Sequence, residues 1–506
     1  MAADSFNSIY ESLAAVVRRH PGKTAIVFEG AEIDYYALLG RIDNAARQLR
    51  QRGIGQGMTF AAYCWNCPDL MYAYYAAAKL GAVFVPMNPN LTPAEVAFAV
   101  SHSGAKLLLH DDAVTDAARA AVPEETLVPI SMLAEPVASD EDTPAIVRRT
   151  DDFLIIYTSG STGTPKAIVL DHAALVDVAQ TLAVMWGVTE RDVTLVGLPL
   201  GYLYGLSTAA GAGLQSGCRV VILRRFHPRN VLETLVAHQA TIYHGVPTMY
   251  SMMLEYCEQN HLHYDLSFVR ELICAGAPLS EEMRRRFSER FRVELHNYYA
   301  ATEATPVFCK LWNDPAPVPE GSAGKAAPGL TVRIVRSDGT ECRPGEQGEI
   351  LVRATATMKR YLNDEELTRG ALKDGLFRTG DLGYRDAAGW YFITGRIKDV
   401  IIRGGANISP AEVEKVLCSH PGVQDAAVIG VPDRIFGEVP VAFVVRRHGS
   451  EVNADELERH IASALSDFKV PRRYMFEDAL PQGKTGKVDK TLLRKRCVAE
   501  ADAGSG

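Results

Sequence analysis

The sequence lacks the features that mark several whole classes of protein. It has nine cysteines among 506 residues, an odd number that is widely scattered, which argues against a disulfide framework. No apolar run reaches the roughly 18–20 residues of a membrane span, and the N-terminus lacks the basic and apolar regions of a secretory signal. We therefore expect a cytoplasmic protein with no integral membrane segment.

Basic clusters are also missing. The formal net charge is −8 and the pI is about 5.9, and no block of Lys and Arg stands out, so no nucleic-acid partner is expected. Cys64 and Cys67 form the one CxxC pair, but no second pair or histidine follows at the spacing of zinc ligands. Two buried thiols are therefore favoured over a metal or redox site.

What the chain does contain is the pattern of an α/β protein. Apolar residues make up 47% of it, more than one core needs, so several subdomains are expected. Short apolar runs such as residues 25–28, 153–157 and 272–274 alternate with helical stretches such as 36–52, which predicts largely parallel sheets. From about residue 321 to 396, short runs between Gly, Pro and Asp predict a β-rich subdomain with hairpins.

The end of the chain is predicted to form a small α+β domain. Residues 409–412 (SPAE) and 453–456 (NADE) have helix-start patterns, and the first has Pro at the first helical position of a capping box. The strand-like residues 426–431 and 439–446 lie between them. The predicted fold class is thus α/β, with a large N-terminal domain of stacked α/β subdomains and a β-rich subdomain, followed by a small α+β C-terminal domain.

The most informative segment is a loop rich in Gly, Ser and Thr, with the sequence YTSGSTGTPK at residues 157–166. Its glycines let backbone N–H groups approach an anion, its hydroxyls donate hydrogen bonds, and Lys166 adds a positive charge. Because the loop follows an apolar strand, it suits the binding of a polyphosphate. It is not a Walker A loop, since Pro165 precedes the lysine and Ala167 follows it.

This loop resembles the signature loop of the acyl-adenylate-forming superfamily, which includes acyl- and aryl-CoA synthetases, firefly luciferase and the adenylation domains of nonribosomal peptide synthetases. The chain looks most like 4-coumarate–CoA and fatty-acid–CoA ligases. The resemblance extends from about residue 10 to 487, and it includes five further motifs in the family's order: AGAP (275–278), HNYYAATE (296–303), FRTGD (377–381), GRIKD (395–399) and QGKTGK (482–487).

The resemblance implies an ATP-dependent acid–thiol ligase that uses ATP, Mg²⁺ and coenzyme A. A small carboxylic acid would attack ATP to give an acyl-AMP and pyrophosphate, and the thiol of coenzyme A would then take the acyl group and release AMP. In this family the two steps use different positions of the C-terminal domain. The resemblance therefore implies an AMP-binding domain at residues 1–396, a hinge at 397–398 with Lys398 as its pivot, and a mobile domain at 399–506.

Roles for individual residues also follow from the resemblance. Tyr299 is expected to stack on adenine, Thr302 to contact the α-phosphate and Glu303 to bind Mg²⁺. The expected catalytic residues are Lys166, Thr302, Glu303 and Lys487. The expected ATP- and AMP-binding residues are Thr158, Ser159, Gly160, Ser161, Thr162, Gly163, Lys166, Gly276, Ala277, Pro278, Tyr298, Tyr299, Thr302, Asp381, Arg396 and Lys487.

The acyl site departs from the family pattern. Gly201 and Tyr202 stand where many relatives have Phe-His, and Ala300 replaces a usual glycine. The expected pocket residues are Tyr202, Tyr204, Tyr243, His244, Ala300, Thr305 and Val307, and the resemblance places Gly404 and Gly405 beside the thiol tunnel of coenzyme A. Since none of these pocket residues is Arg or Lys, the sequence predicts a monocarboxylate with an apolar body, either an aryl or a medium-chain acid, rather than a diacid.

Other functions stay open at this point. The acyl acceptor could instead be a separate carrier protein. A nucleotide-dependent dehydrogenase would rely on the glycines at 211, 213 and 217, but their spacing is one residue too long and no strand clearly precedes them. An inactive nucleotide sensor is disfavoured because Lys166, Glu303 and Lys487 are all present. The sequence does not determine the oligomeric state, and a homodimer is the one assembly kept as a candidate.

Overall fold

The computed structural model describes residues 6–137, 145–158, 165–483 and 488–503. Up to residue 158, helices and strands alternate along the chain. The helices are α1 (Ile9–Arg19), α2 (Tyr35–Gln51), α3 (Pro68–Leu80), α4 (Pro93–Ser103) and α5 (Thr115–Ala121). The strands are β1 (Thr24–Phe28), β2 (Ala31–Asp34), β3 (Thr59–Tyr63), β4 (Val83–Met87), β5 (Leu108–His110), β6 (Leu127–Pro129) and β7 (Asp152–Thr158).

Alternation continues to residue 309. The helices there are α6 (His172–Trp186), a π-helix at Tyr204–Gly211, α7 (Ala212–Gln215), α8 (Pro228–His238), α9 (Pro247–Gln259) and α10 (Glu281–Phe291). The strands are β8 (Lys166–Asp171), β9 (Val193–Val196), β10 (Arg219–Ile222), β11 (Ile242–Gly245), β12 (Glu271–Cys274), β13 (Leu295–Ala301) and β14 (Ala304–Cys309).

The next stretch is mostly extended. Its elements are β15 (Lys325–Ala326), β16 (Thr331–Val335), β17 (Gly348–Arg353), β18 (Ala356–Thr357), β19 (Arg360–Tyr361), α11 (Glu365–Ala371), β20 (Leu372–Lys373), β21 (Leu376–Arg385) and β22 (Tyr391–Arg396). After a 3₁₀ turn at Ile397–Asp399 come β23 (Ile401–Arg403), β24 (Ala406–Ile408), α12 (Pro410–Cys418), β25 (Val423–Asp433), β26 (Gly437–Arg446), α13 (Ala454–Ala464), β27 (Arg473–Glu477) and α14 (Lys490–Ala503).

Two large sheets carry the N-terminal part of the chain. In one the strand order is β15-β14-β13-β12-β11-β9-β10-β1-β2, and in the other it is β19-β8-β7-β4-β3-β5-β6. Strands β9 to β13 run parallel to one another, as the alternation predicted, whereas β14 is antiparallel to β13. The carboxyl ends of these strands therefore meet at one edge, where ligand sites of α/β proteins occur.

The two large sheets share one apolar core. Helix α3 is buried on every side, and Asp69 is its one residue that is not fully buried. This is expected of a helix that is apolar all round. Its residues pack in a cluster with Ile26 of the first sheet and with Phe60 and Phe84 of the second. Cys64 and Cys67 lie in the same cluster, and burial raises the pKa of the Cys67 thiol to about 12, which fits buried, unreactive thiols.

The later part of the chain differs in detail from the prediction. Strands β16, β17, β20, β21 and β22 form a separate antiparallel sheet. However, β15 and β18 pair with β14, and β19 pairs with β8, so the stretch from 321 to 396 also extends both large sheets. Strands β15, β18 and β19 have two residues each, and β19 pairs with a strand far away in the chain, Arg360 lying opposite Val169, so local patterns do not reveal these pairings.

The C-terminal sheet has the order β24-β23-β26-β25, with β27 beside β26. Both predicted helix starts are present. Asn453 and Glu456 form the capping box of α13. The capping box predicted at Ser409 does not form, because its hydroxyl donates to the carbonyl of Thr394 in β22 and Glu412 pairs with Lys469.

Two predicted absences were tested against this fold. The glycine-rich stretch of the dehydrogenase hypothesis lies in the π-helix and in α7, so it lacks the strand–turn–helix form of a dinucleotide fingerprint. In the described parts of the chain, none of the helices combines the length and the apolar character of a membrane span.

Candidate active site

Strands β13, β21 and β22 bring together three of the predicted nucleotide-binding residues. The hydroxyl of Tyr299 donates to a carboxylate oxygen of Asp381, and Arg396 Nε lies 2.8 Å from Asp381 Oδ1. Asp381 and Arg396 are cross-strand partners in the β21–β22 register. The ring of Tyr299 stacks on Phe308 with centroids 5.5 Å apart. An aromatic face, a carboxylate and a guanidinium are thus held in one corner, as binding to a base and its ribose requires.

The backbone around Asp381 is held by its neighbours. The N–H of Asp381 donates to Thr379 Oγ1 at 3.0 Å, and this hydroxyl donates to the carbonyl of Ile350 at 2.8 Å. Gly380 between them has φ +69°, a left-handed value that favours glycine. Burial and the nearby Asp381 raise the pKa of Tyr299, so its hydroxyl stays protonated and remains a donor.

A second cluster lies beside the predicted phosphate loop. Lys166 Nζ lies 5.2 Å from the ring centroid of Tyr361, and the Tyr361 hydroxyl donates to Glu303 Oε1 at 2.9 Å. Tyr361 was missed by the sequence analysis, because it lies outside every motif and reaches the site through the β19–β8 pairing. Glu303 Oε2 has no hydrogen bond to the described residues, which suits Mg²⁺, an ion often held by one carboxylate plus substrate phosphates.

Two sets of predicted residues lie outside the described ranges. They are the loop residues Ser159, Gly160, Ser161, Thr162 and Gly163, and the predicted catalytic Lys487. Their flanks are described. Thr158 pairs with Lys166 across β7 and β8, and Gln482 Nε2 lies 3.4 Å from Thr248 Oγ1.

The predicted adenine segment also reaches this edge of the sheet. Gly276, Ala277 and Pro278 follow β12 after one intervening residue, Ala275, and β12 lies between β11 and β13. Gly276 has φ +89°, so the chain turns there in a conformation that favours glycine. Thr302 lies in the β13–β14 turn beside Glu303.

Four aromatic rings, which we call the aromatic box, lie on the other face of β13. His244 contacts Trp186 and Tyr204, with centroids 5.1 and 5.7 Å apart. Tyr298 contacts the same two rings at 5.2 and 6.0 Å. Trp186 was missed because it ends a helix far from any motif. Burial lowers the pKa of His244 to about 3, so the imidazole is neutral and is no general base for the reaction.

Strand alternation separates residues that the sequence analysis grouped together. Tyr298 and Tyr299 are neighbours in β13 and point to opposite faces of the sheet. Tyr298 was predicted to contact the nucleotide, but its side chain lies on the face opposite to Tyr299 and the nucleotide corner. Its hydroxyl bonds Thr305 Oγ1 at 2.7 Å. Tyr243 likewise points away from His244, into a core cluster with Tyr250 and Phe287, and is not a wall of the aromatic box.

The remaining predicted pocket residues lie around the same strands. Thr305 and Val307 are buried in β14, and Ala300 is half-buried in β13. Tyr202 is half-buried, and burial raises its pKa to about 12. A side chain at Gly201 would approach the backbone of Met87 and Asn88 to 2.5 Å, which explains why this position has no Phe here.

The predicted thiol-tunnel and hinge residues lie in the C-terminal part. Gly404 and Gly405 are exposed, and the N–H of Gly404 donates to the carbonyl of Phe436. They lie within the C-terminal sheet and are not brought to the nucleotide corner in this arrangement. Lys398 is the middle residue of the 3₁₀ turn. Burial and the charge of Arg396 lower its pKa.

Known protein families match both parts of the chain. The family described as "AMP-binding enzyme" matches residues 13–362, and its C-terminal domain matches residues 412–487. The chain belongs to the AMP-binding enzyme family. This confirms the predicted resemblance to acyl-adenylate-forming enzymes and the predicted two-part α/β fold.

Relatives of this AMP-binding enzyme include ligases that use coenzyme A. It is 36% identical over 483 residues to a feruloyl-CoA synthase of an Amycolatopsis species, with 95% of this chain and 97% of the relative covered. It is 33% identical to an indoleacetate–CoA ligase of Aromatoleum aromaticum, with 94% and 95% covered. Its structure resembles ATP-bound MatB from Rhodopseudomonas palustris with a TM-score of 0.88, 29% identity and 97% and 99% coverage. The prediction of an AMP-forming acyl-CoA synthetase that uses ATP, Mg²⁺ and coenzyme A is thereby confirmed.

Proposed function

We propose that this enzyme activates an aryl monocarboxylic acid as its acyl-adenylate and transfers the acyl group to coenzyme A. The aromatic box is the observation that carries the proposal. Its four rings are buried or half-buried, and flat rings pack well against a flat aromatic substrate. The two relatives named for ferulate and indoleacetate support an aryl acid over a medium-chain acid.

A second carboxylate on the substrate would be costly at this wall. The side chains of the box and of Thr305, Val307 and Ala300 include neither Arg nor Lys, and His244 is neutral because burial lowers its pKa to about 3. An unpaired carboxylate loses several kcal/mol when it is buried. The proposal therefore excludes diacids as preferred substrates.

The residues around the nucleotide act by positioning and by charge. In this proposal Asp381, Arg396 and Tyr299 bind the base and the ribose, and Lys166 and Thr302 contact the phosphates. The sequence predicts the same phosphate contact for residues 159–163, which lie outside the described ranges. Glu303 would hold Mg²⁺, which would offset phosphate charge when bound. Attack of the carboxylate on the α-phosphorus expels pyrophosphate, and attack of the thiol on the mixed anhydride expels AMP. Neither step needs a covalent side-chain nucleophile.

A panel of acids tests this proposal through pyrophosphate release. We expect benzoates and cinnamates to exceed medium-chain acids by about tenfold or more in kcat/KM, because a chain buries less surface against the rings than a flat aromatic group does. They should exceed malonate and succinate by a larger factor, because burial of an unpaired carboxylate costs more free energy than the loss of apolar contact. Octanoate serves as the medium-chain comparison. A preference for a dicarboxylate, or for octanoate over every aryl acid, would contradict the proposal.

The surface beside Gly404 supports coenzyme A rather than a carrier protein as the acceptor. The guanidinium carbons of Arg403 and Arg472 lie 5.1 and 5.6 Å from the ring centroid of Phe436. Arg403 also donates to the backbone carbonyl of Phe468, and Phe468 is 38% exposed. Cations and aromatic faces together suit a nucleotide with several phosphates, which coenzyme A has and a carrier-bound phosphopantetheine lacks.

Arg472→Ala is expected to raise the KM for coenzyme A by about tenfold, which corresponds to the free energy of one hydrogen bond to a charged group. Pyrophosphate release should stay unchanged. Arg446→Ala is the matched control, because Arg446 also covers an aromatic ring, Phe476 at 3.7 Å, at the opposite end of β26. Equal effects of the two substitutions on coenzyme A would mean that the surface at Arg472 has no part in binding it.

Three further predictions belong to the proposal. The first is the division into an AMP-binding domain at residues 1–396, a hinge at 397–398 and a mobile domain at 399–506; the 3₁₀ turn at Ile397–Asp399 supports a hinge at this place. A cytoplasmic location and a homodimer stay predictions from the sequence.

A further inference from the structure

His244 is the one member of the aromatic box with a buried polar atom, Nδ1, that has no hydrogen-bond partner among the described residues. The residue is 2% exposed, and its Nδ1 is completely buried without a partner. The side chain lies at the carboxyl end of β11, between the rings of Trp186 and Tyr204.

The other three rings of the box have partners for their polar atoms. The Tyr298 hydroxyl bonds Thr305 Oγ1 at 2.7 Å, the Tyr204 hydroxyl donates to the carbonyl of Ile273 at 3.2 Å, and Trp186 interacts with the Cys309 thiol. The protein thus provides partners for the polar atoms of every ring in the aromatic box except His244. Buried polar groups without a partner are uncommon in folded proteins, and a missing ligand is one of the recognised reasons for them.

The chemistry of a neutral imidazole defines what would satisfy it. Burial keeps the ring uncharged, because it lowers the pKa of His244 to about 3. One ring nitrogen then carries a hydrogen and the other a lone pair. A hydroxyl group both donates and accepts, so it can pair with the imidazole in either tautomer, whereas a methyl group of similar size can do neither.

We propose that His244 hydrogen-bonds a hydroxyl on the aromatic ring of the substrate and so selects hydroxylated aryl acids over their unsubstituted and methylated analogues. The inference rests on the proposed function, since it needs an aryl acid seated against the aromatic box. His244 is a specificity-determining residue in this proposal and takes no part in the chemical steps.

Matched acids test the selection in the unmodified enzyme. Benzoate and cinnamate are compared with their 2-, 3- and 4-hydroxy and 2-, 3- and 4-methyl derivatives by kcat/KM for pyrophosphate release. At least one hydroxy acid is expected to exceed both its methyl analogue and the parent acid by about 10- to 100-fold, because a buried site that binds a hydroxyl rejects a ligand lacking it. Hydroxy acids that stay within about threefold of their methyl analogues at every position would overturn the proposal.

Variants then assign the selection to His244. His244→Phe and His244→Leu are expected to bring the hydroxy/methyl ratio close to one, chiefly by loss of activity toward the hydroxy acid, and His244→Gln is expected to restore part of the ratio because its amide also donates and accepts. His172→Phe is the matched control. His172 is fully buried with no partner at either ring nitrogen, and it stacks on Phe153 away from the box, so the ratio should stay at its original value.

The outcomes separate this inference from the proposed function. If the enzyme accepts no aryl acid, the proposed function is wrong. If it accepts aryl acids with no hydroxyl preference, or if the preference persists in His244→Phe and His244→Leu, only the role of His244 is wrong. Because the first comparison uses the unmodified protein, poor folding of a variant does not leave the proposal untested.

Discussion

Lys487→Ala is expected to lower adenylate formation by a factor of about 100 to 1,000, the loss typical of removing one preorganised stabilising group from a transition state. Thioester formation from pre-made acyl-adenylate should stay nearly unchanged. The first step brings a carboxylate to the anionic α-phosphate, so it needs a cation at the transferring oxygens. The second step displaces AMP by a thiol and has no such need. Pyrophosphate release and thioester formation are measured separately.

The described flanks of Lys487 support this role. Gln482 and Val488 form an isolated β-bridge, and the side chain of Gln482 reaches Thr248 near the start of α9. Gln482, which precedes Lys487 by five residues, thus lies beside α9, which begins three residues after His244. Lys484→Ala, in the same motif, is the control and should leave both steps intact. Equal loss of both steps in Lys487→Ala would indicate a structural role or a wrong assignment.

Lys398→Pro is expected to keep adenylate formation near normal and to reduce thioester formation by about 100-fold, comparable with the roughly 3 kcal/mol that a badly placed proline costs. The two steps make opposite demands, since adenylation needs Lys487 close and thioester formation needs that lysine withdrawn and a channel open for a long thiol. A hinge meets both demands through φ and ψ changes at a few residues.

The structure explains which arrangement proline should trap. Lys398 is the middle residue of a 3₁₀ turn, where φ is about −60°, close to the value that proline imposes. In this arrangement Arg447 Nη2 of the C-terminal domain lies 3.2 Å from Glu282 of α10, and Gln424 donates to Glu255 of α9 at 2.8 Å. Since Gln482 is also at the N-terminal domain and Gly404 is exposed, we infer that this is the adenylating arrangement.

Single-residue controls separate a hinge from a rigid turn. Lys398→Ala keeps φ and ψ free and should leave both half-reactions close to normal. The Pro variant is measured for pyrophosphate release with acid and ATP, and for thioester formation from pre-made adenylate and coenzyme A. Parallel losses in the two steps would remove the reason for assigning a hinge to this position.

The nucleotide corner could be predicted from the sequence because its residues lie in short sequence motifs. The positions of Asp381, Arg396, Tyr299, Lys166 and Glu303 all follow from motifs in which the reacting groups have fixed local spacing. The structure brings Tyr299, Asp381 and Arg396 together through strands β13, β21 and β22. Tyr361 is the exception, since its place beside Lys166 depends on a pairing between β19 and β8 that joins residues far apart in the chain.

The acyl site could be predicted only in part. Tyr204 and His244 were named from family-like segments and lie in the aromatic box, whereas Trp186 of the box was not named. Tyr298, predicted at the nucleotide, lies in the box, and Tyr243, predicted in the pocket, lies in a neighbouring core cluster. Adjacent residues in a strand point to opposite faces, so a string such as Tyr298-Tyr299 contains one residue for each side of the sheet. Which one faces which site depends on strand register and sheet packing, and both are set by distant residues.

The sequence by itself determined the family and the reaction, and it predicted a set of nucleotide-binding residues, because backbone glycines, hydroxyls and charges act there over a few consecutive positions. Only the tertiary structure decided which residues form the aromatic box and which of them has a buried nitrogen without a hydrogen-bond partner among the described residues. His244 looks in the sequence like any buried histidine. Its unpaired nitrogen becomes visible only when β11, the end of α6 and the π-helix pack together, because the partners of a buried polar group come from elements that are far apart along the chain.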